Sequence, residues 1–250
     1  MPTYESDGLR LHYDVVGSGP PVLGVHGATG TGSFEWAALA GELGDRYRFL
    51  IPDLRGHGRS DHRAGQIGIE HVHDDLLALL AREGLAEAHL LAFSFGAEVA
   101  LDLELRYPGT SSSLVLVSPG LGDPKSSVPT RAQLEAGWPR SLRRLHIERH
   151  GEGHWLELMV EVCDHAARRP KADLEALAAI ACPILLIVGS KDDPRRVRQA
   201  RLFEEVHDRC RLIVVDGARH AAHKDRPLEV AAAVGTFLDE VTTTSGPGRA

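Results

Sequence analysis

Cysteine, lysine, methionine and aromatic side chains are all scarce in this chain, and several of these shortages remove a class of explanation. Cys163, Cys182 and Cys210 are the only cysteines, odd in number and widely spaced. They make neither a disulfide framework nor a C-x-x-C motif, which suits a reducing cytosol and leaves stability to an apolar core. No apolar run approaches the length that spans a bilayer. The start, MPTYESDGLRLHY, lacks the charged-then-apolar order of a signal peptide. A cytoplasmic protein with no membrane partner is therefore expected. Positive charge is short as well. The net charge of −7 argues against nucleic acid, whose binders carry basic surfaces. Lys125, Lys171, Lys191 and Lys224 are the only lysines among 28 basic residues, and with abundant Ala and Gly this indicates a high-GC, bacterial genome.

What is present is an alternation. At 250 residues, with 43% hydrophobic and 25% charged residues, the chain has the make-up of a soluble α/β domain with an insertion. Short apolar runs at Leu9–Val16, Val22–Val25, Phe49–Ile51, Leu90–Phe93, Leu114–Val117, Ile184–Val188 and Leu212–Val215 read as strands. Ile69–Arg82, Glu98–Arg106, Arg195–Val206 and Pro227–Val241 carry apolar residues at helical spacing. Strands alternating with helices predict a mostly parallel central sheet flanked by helices, and runs apolar throughout predict strands buried on both faces. Residues 120–181 break the alternation. They open with the loop PGLGDPKSSVP and continue as two or three amphipathic helices, a length more typical of a lid or binding element than of a connector. The expected organisation is a discontinuous core, 1–119 and 182–241, a helical lid at 120–181, and a disordered polar tail at 242–250.

The stretch LLAFSFGAEVA delivers one hydroxyl, Ser94, from a buried strand onto the start of a helix. A serine on such a turn has its oxygen exposed above the sheet, and small residues two positions either side let strand and helix close-pack. Gly96 meets that demand; Ala92 stands where a glycine is usual and adds a methyl in a tight spot. A serine nucleophile needs a base, and the base needs an orienter. The run LLIVG leads into SKDDP, with Asp192 and Asp193, and the run LIVVDG leads through Ala218 and Arg219 to His220. Ser, Asp and His thus each follow a strand at one edge of a parallel sheet, where ligands gather in open α/β folds.

Two further motifs agree: VHGATGTG after an early strand and IPDLRGHGRSD after the next. With them the chain resembles the α/β-hydrolase fold superfamily, of the serine-nucleophile, lid-bearing type with HG-x-x-G and D-x-R-G-x-G-x-S motifs, from about Gly8 to Leu238. The resemblance implies the α/β-hydrolase fold, with a small helical lid after the sixth strand. It implies Ser94 as nucleophile, His220 as general base and Asp192 as the acid, with Asp193, just before Pro194, as the alternative. Oxyanion donors would be the backbone N–H groups of Ala28 and Phe95, with Thr29 the alternative to Ala28.

Other residues receive plainer readings. His57 and Arg59 are expected to hydrogen-bond neighbouring turns, His223 to lie on the lid or rim, and His71, His73, Asp74 and Asp75 to lie at the surface. His146, His150 and His154 recur every four residues, a spacing that would align ligands on one helix. Gly151 and Gly153 interrupt that helix and no carboxylate or cysteine completes a set, so a solvated face is expected, with no metal and no cofactor. Among the few aromatics, Phe34, Phe93, Trp138 and Trp155, with Met159, are candidates for the substrate pocket. The function expected is hydrolysis of an ester, lactone or thioester of a small organic substrate through an acyl-serine, by a monomer or homodimer. The competing readings are an acyltransferase drawing on an acyl carrier protein or CoA thioester, a C–C bond hydrolase, and a non-catalytic ligand-binding protein. The absence of an aspartate nucleophile counts against epoxide hydrolase and haloalkane dehalogenase chemistry.

Overall fold

A computed structural model describes residues 2–121, 130–137, 140–168 and 174–245. Its strands are β1 (Thr3–Ser6), β2 (Leu9–Val16), β3 (Pro21–Val25), β4 (Arg48–Pro52), β5 (Ala88–Phe93), β6 (Ser111–Val117), β7 (Ile184–Gly189) and β8 (Cys210–Val215). They form one sheet in the order β1-β2-β4-β3-β5-β6-β7-β8. Pairing is antiparallel for β1/β2 and β2/β4 and parallel from there on, the mostly parallel α/β architecture expected.

The first strand was not legible as one in the apolar pattern. It joins β2 through Asp7 and Gly8, at φ 50° and 69°. Two left-handed residues make the tight turn whose twist matches paired strands, and Asp-Gly is a favoured sequence for it.

The helices are α1 (Gly32–Leu43), α2 (Ile69–Arg82), α3 (Phe95–Arg106), α8 (Pro194–Val206), α9 (Ala222–Asp225) and α10 (Pro227–Ser245), together with α4 to α7 of the insertion. One face of the sheet packs on Trp36, Leu39 and Leu43 of α1 and Val230, Val234 and Leu238 of α10. The other packs on Val72, Leu76 and Leu79 of α2, Val99 and Leu103 of α3 and Phe203 of α8. Every residue of β5 and β7 is buried, as the continuous apolar runs require. Each such Leu, Ile or Val contributes about 1.5–3 kcal/mol of transfer free energy.

Between β6 and β7 the chain leaves the sheet, and the described residues there form four helices, α4 (Arg131–Gly137), α5 (Arg140–His150), α6 (His154–Arg168) and α7 (Leu174–Ala178), where two or three are expected. At the C-terminus α10 runs to Ser245, four residues into the segment expected to be a disordered tail, and Thr242 and Thr243 turn their hydroxyls onto the carbonyls of Leu238 and Asp239 one turn back. Residues 246–250 lie outside the described residues. Among the described residues no helix is long and apolar enough to cross a membrane.

Candidate active site

Ser94 sits between the end of β5 and the first turn of α3 at φ 52° and ψ −113°. A left-handed backbone at a residue with a Cβ costs on the order of 1–3 kcal/mol and persists only when the surroundings hold it. They do so here. The Ser94 N–H donates to the Val117 carbonyl at 2.9 Å, and its carbonyl accepts from Ala97 at 3.0 Å and Glu98 at 3.2 Å. Gly96 is indispensable to the turn: a Cβ there would stand 2.5 Å from the carbonyl oxygens of both Val25 and His26. Ala92, by contrast, is fully buried inside β5 in regular register with Val25 and Leu116, so its methyl is absorbed by the sheet.

His220 follows β8 and Asp192 follows β7, and the structure brings both to Ser94. His220 Nε2 lies 3.0 Å from Ser94 Oγ, and His220 Nδ1 lies 3.1 and 3.2 Å from the two Asp192 carboxylate oxygens. With Nδ1–H donating to the carboxylate, Nε2 is left to accept the serine proton. Burial alone would raise the Asp192 pKa. The hydrogen bond and charge of His220 and the Asp193 amide outweigh it and hold the carboxyl below its ordinary range. Asp193 does other work: its carboxylate accepts the Arg195 N–H at 2.9 Å and pairs with the Arg195 guanidinium, capping α8.

Sequence reasoning missed a second hydroxyl. Ser118, just past β6 and itself at φ 48°, donates to the His220 carbonyl at 2.7 Å, while the Lys191 N–H donates to Ala218 at 2.8 Å. Together they tie the two loops that carry His220 and Asp192. The only local cue was a serine ending an apolar run, as Ser94 does.

The loop after β3 brings Ala28 and Thr29 to the same edge. Phe95 opens α3, so its N–H precedes the first intrahelical acceptor, as helix N-termini require. His57 faces the carbonyls of Arg55 and Ala28, each at 2.9 Å, and Arg59 binds Asp14 at 2.7 Å and Asp53 at 3.2 Å, as turn-bonding residues should. Burial, and then the charge of neighbouring histidines, holds His57 well below the ordinary imidazole range.

A cavity of about 610 Å³ opens at Ser94 and His220, lined by Ala28, Thr29, Phe34, Phe93, Leu142 and Lys224 among others. Phe34 and Phe93 are therefore placed as pocket candidates. Trp155 and Met159 are not: with Leu158 and Val162 they form the apolar stripe of α6, at the i, i+3, i+4, i+7 spacing that faces a core. Trp138 lies outside the described residues.

Four other expectations are corrected. His73 and Asp75 are buried, not surface residues; Asp75 receives a two-pronged ion pair from buried Arg55 at 2.7 Å, and His73 Nε2 faces the Val99 carbonyl at 3.2 Å. His223 is buried beneath the site, with Nε2 2.8 Å from the Glu35 carboxylate and its ring 4.7 Å from Phe93. His146 is 1% exposed and so belongs to no solvated face. Among the described residues no group of three or more His, Cys, Asp or Glu is arranged to hold a metal ion.

Comparison with known proteins gives the chain a family and its fold a set of relatives. The profile of the Alpha/beta hydrolase family matches residues 22–233. An uncharacterised protein of Mycobacterium tuberculosis is 30% identical over 113 residues, 45% of this chain and 33% of that protein, so the match spans a third of that relative's length. The pimeloyl-[acyl-carrier protein] methyl ester esterase of Aeromonas hydrophila is 25% identical over 249 residues, covering 88% of this chain and 95% of its own. A thermophilic esterase from Thermogutta terrifontis superposes with a TM-score of 0.81 at 23% identity, over 96% of this chain and 98% of that one.

Proposed function

Because the chain belongs to the Alpha/beta hydrolase family, we propose that it is a serine hydrolase cleaving an ester, lactone or thioester of a small organic substrate through an acyl-serine at Ser94. The observation that carries this reading is the relay from Ser94 Oγ through His220 to Asp192, at 3.0 and 3.1 Å, at the mouth of the cavity. His220 takes the Ser94 proton as Oγ attacks the substrate carbonyl. The Ala28 and Phe95 amides, with Thr29 as the alternative to Ala28, accept the charge that develops on the carbonyl oxygen. The His220 proton then passes to the leaving alcohol or thiol, and water attacks the acyl-serine by the same route in reverse. The helical insertion acts as the lid over this cavity, with Ser141 and Leu142 of α5 lining it.

The Aeromonas relative, named for an acyl-carrier-protein methyl ester, favours ester cleavage over C–C cleavage, and carrier-bound acyl groups join the substrates to be tried. The test is intact-protein mass spectrometry of wild type and Ser94→Ala after a fluorophosphonate probe and a panel of acyl esters and thioesters. Adducts on wild type alone are expected, and turnover by Ser94→Ala lower by about 10⁴-fold or more. Labelling that persists in Ser94→Ala would end the proposal.

A further inference from the structure

Three histidines grip three successive carbonyls of the loop between β3 and α1. His26 Nδ1 lies 2.7 Å from the Gly27 carbonyl, His57 Nε2 2.9 Å from Ala28 and His146 Nε2 3.2 Å from Thr29. The rings pack on one another edge to face, His26 on His57 at 4.8 Å and His57 on His146 at 5.4 Å. Within a planar trans peptide the C=O of one residue and the N–H of the next point in opposite directions. Holding the Gly27 and Ala28 carbonyls from behind therefore aims the Ala28 and Thr29 amides the other way, and these are the candidate oxyanion donors. Holding the Thr29 carbonyl fixes the far side of the same turn, where the Gly30 N–H closes back on Gly27 at 3.4 Å.

Two of the three histidines come from the core: His26 follows β3 and His57 lies in the R-G-H-G loop. The third does not. His146 sits on α5, 117 residues from Thr29 in the chain. It is 1% exposed, and its Nδ1 accepts the Gly58 N–H at 3.3 Å. That acceptance leaves the neutral ring's single proton on Nε2, where it can be donated to Thr29. A residue needed only to fill space under α5 could be aliphatic. An imidazole bonded at both nitrogens to two different core loops is a tie.

We propose that His146 is a positioning residue for the oxyanion loop, supplied by the helical insertion, so that seating α5 completes the oxyanion site. The inference rests on the serine-hydrolase reading of Ser94. Its chemical consequence is that the insertion acts on the transition state as well as on access to the cavity. A displaced α5 leaves Ser94, His220 and Asp192 together, since the hydrogen bonds that join them do not involve it, but releases one of the three holds on the loop.

The experiment measures the rate at which a fluorophosphonate labels Ser94, resolved into maximal rate and half-saturating concentration, for wild type, His146→Leu and His146→Gln. Labelling needs no knowledge of the natural substrate, and the phosphonyl oxygen uses the same amides. His146→Leu is expected to lower the maximal rate at least tenfold, to about the scale of a misplaced oxyanion donor, with half-saturation within about twofold. His146→Gln, whose amide can donate to Thr29 and accept from Gly58, should recover to within about threefold of wild type. Equal losses in the two variants, or a loss confined to half-saturation, would overturn the proposal.

Should either variant fail to fold, hydrogen exchange of wild type decides. Forming the phosphonate adduct should slow exchange in residues 26–31 and 143–149 together; slowing in only one segment, or in neither, overturns the proposal. Absence of any adduct on wild-type Ser94 is a separate result, visible by mass, that strikes the serine-hydrolase reading itself.

Discussion

The sheet and the helical insertion share one apolar core but differ in the polar ties added to it. The central strands β5 and β7 are buried on both faces, and the buried guanidinium of Arg55 is matched by Asp75 of α2. The insertion packs the apolar stripe of α6 into the same cluster as Leu54 and Ile67, and it adds polar ties to the segment from β4 to the start of α2. His154 Nε2 lies 2.8 Å from the Gly56 carbonyl, Glu161 accepts the Gly65 N–H at 3.1 Å, His165 accepts the Ile69 N–H at 3.1 Å, and Arg149 pairs with Asp61. The core carries depressed imidazoles of its own in His26, His57 and His89, but the insertion's seat adds exposed polar ties, which salt and pH reach more readily. A scaffold that must hold a strained serine benefits from the buried core. An element that must admit and release substrate benefits from the exposed ties.

The largest effect should come from the core. Asp192→Asn leaves the shape of the relay intact but stabilises the wrong His220 tautomer, so turnover should fall by about 10⁴-fold, with little change in melting temperature. Asp193→Asn, one residue on, should leave turnover within about twofold, because Asp193 caps α8 and faces Arg195. Steady-state kinetics on whichever ester is turned over separates the two; similar losses would mean that the geometry has assigned the wrong carboxylate.

Next in size is the ion pair in the core itself. Asp75→Ala leaves the Arg55 guanidinium, 2% exposed, with the Gln66 carbonyl at 3.1 Å and Asp7 at 3.9 Å, and breaking a buried pair in this way costs up to about 3–5 kcal/mol. Urea unfolding should show it as a fall in midpoint at constant slope. Replacing a charge on the insertion's outer surface should do nothing comparable.

Acid should separate the two regions further. Burial, then neighbouring imidazoles, lowers His62 and His150 to about 4; for His146, whose bond to Thr29 works against burial, the value is also about 4. The unfolded chain takes up these protons near 6.5, so between about pH 6.5 and 4 it binds more protons than the folded one and stability falls as pH is lowered. Below about 4 the rings protonate in place, and His146 can no longer accept from Gly58. His89 in β5 is also lowered to about 4, and His26 and His57 lie below the ordinary range, so the core shares this loss; the difference lies in the exposed polar ties that hold the insertion's seat. Hydrogen exchange at pH 7.5, 5.5 and 4.5 should therefore show residues 140–168 opening before β5 or α10. Simultaneous opening would break the comparison.

How much of this was legible depends on how local each cause is. Ser94, Asp192 and His220 stand out because each ends an apolar run, and a run is visible in sequence. The β1–β2 turn was equally local, written in Asp7-Gly8, but a strand of four residues reading TYES offers only two buried positions and no apolar run. Helix α1 carries Thr31 as a cap and was overlooked because its apolar residues, Trp36, Leu39, Ala40 and Leu43, sit among small ones. Asp75 and His223 could not be read correctly at all: their partners are 20 and 188 residues away, and a charged residue looks like a surface residue until its partner is known. Trp155 and Met159 illustrate the converse. Spacing showed that they share a helix face, and only packing shows that the face meets the core and not the cavity.

The smallest effect tests the insertion's seat at its rim. Arg149 and Asp61 form an ion pair with side chains 35% and 33% exposed, joining α5 to the R-G-H-G loop. Water screens both partners, and holding two mobile side chains together costs entropy, so such pairs contribute about 0–1 kcal/mol. Arg149→Gln should shift the melting temperature by no more than about 2–4 °C for a chain of this size, and that shift should vanish at high salt, where exposed charges are screened. The Asp61 carboxyl is held below its ordinary range, against the effect of its burial, by the Arg10 amide and by Arg149. It keeps the Arg10 contribution in the variant, which limits the loss further. A salt-independent loss larger than this would mean that Arg149 positions α5 through packing along its stem, and that the rim of the seat is built more like the core than its chemistry suggests.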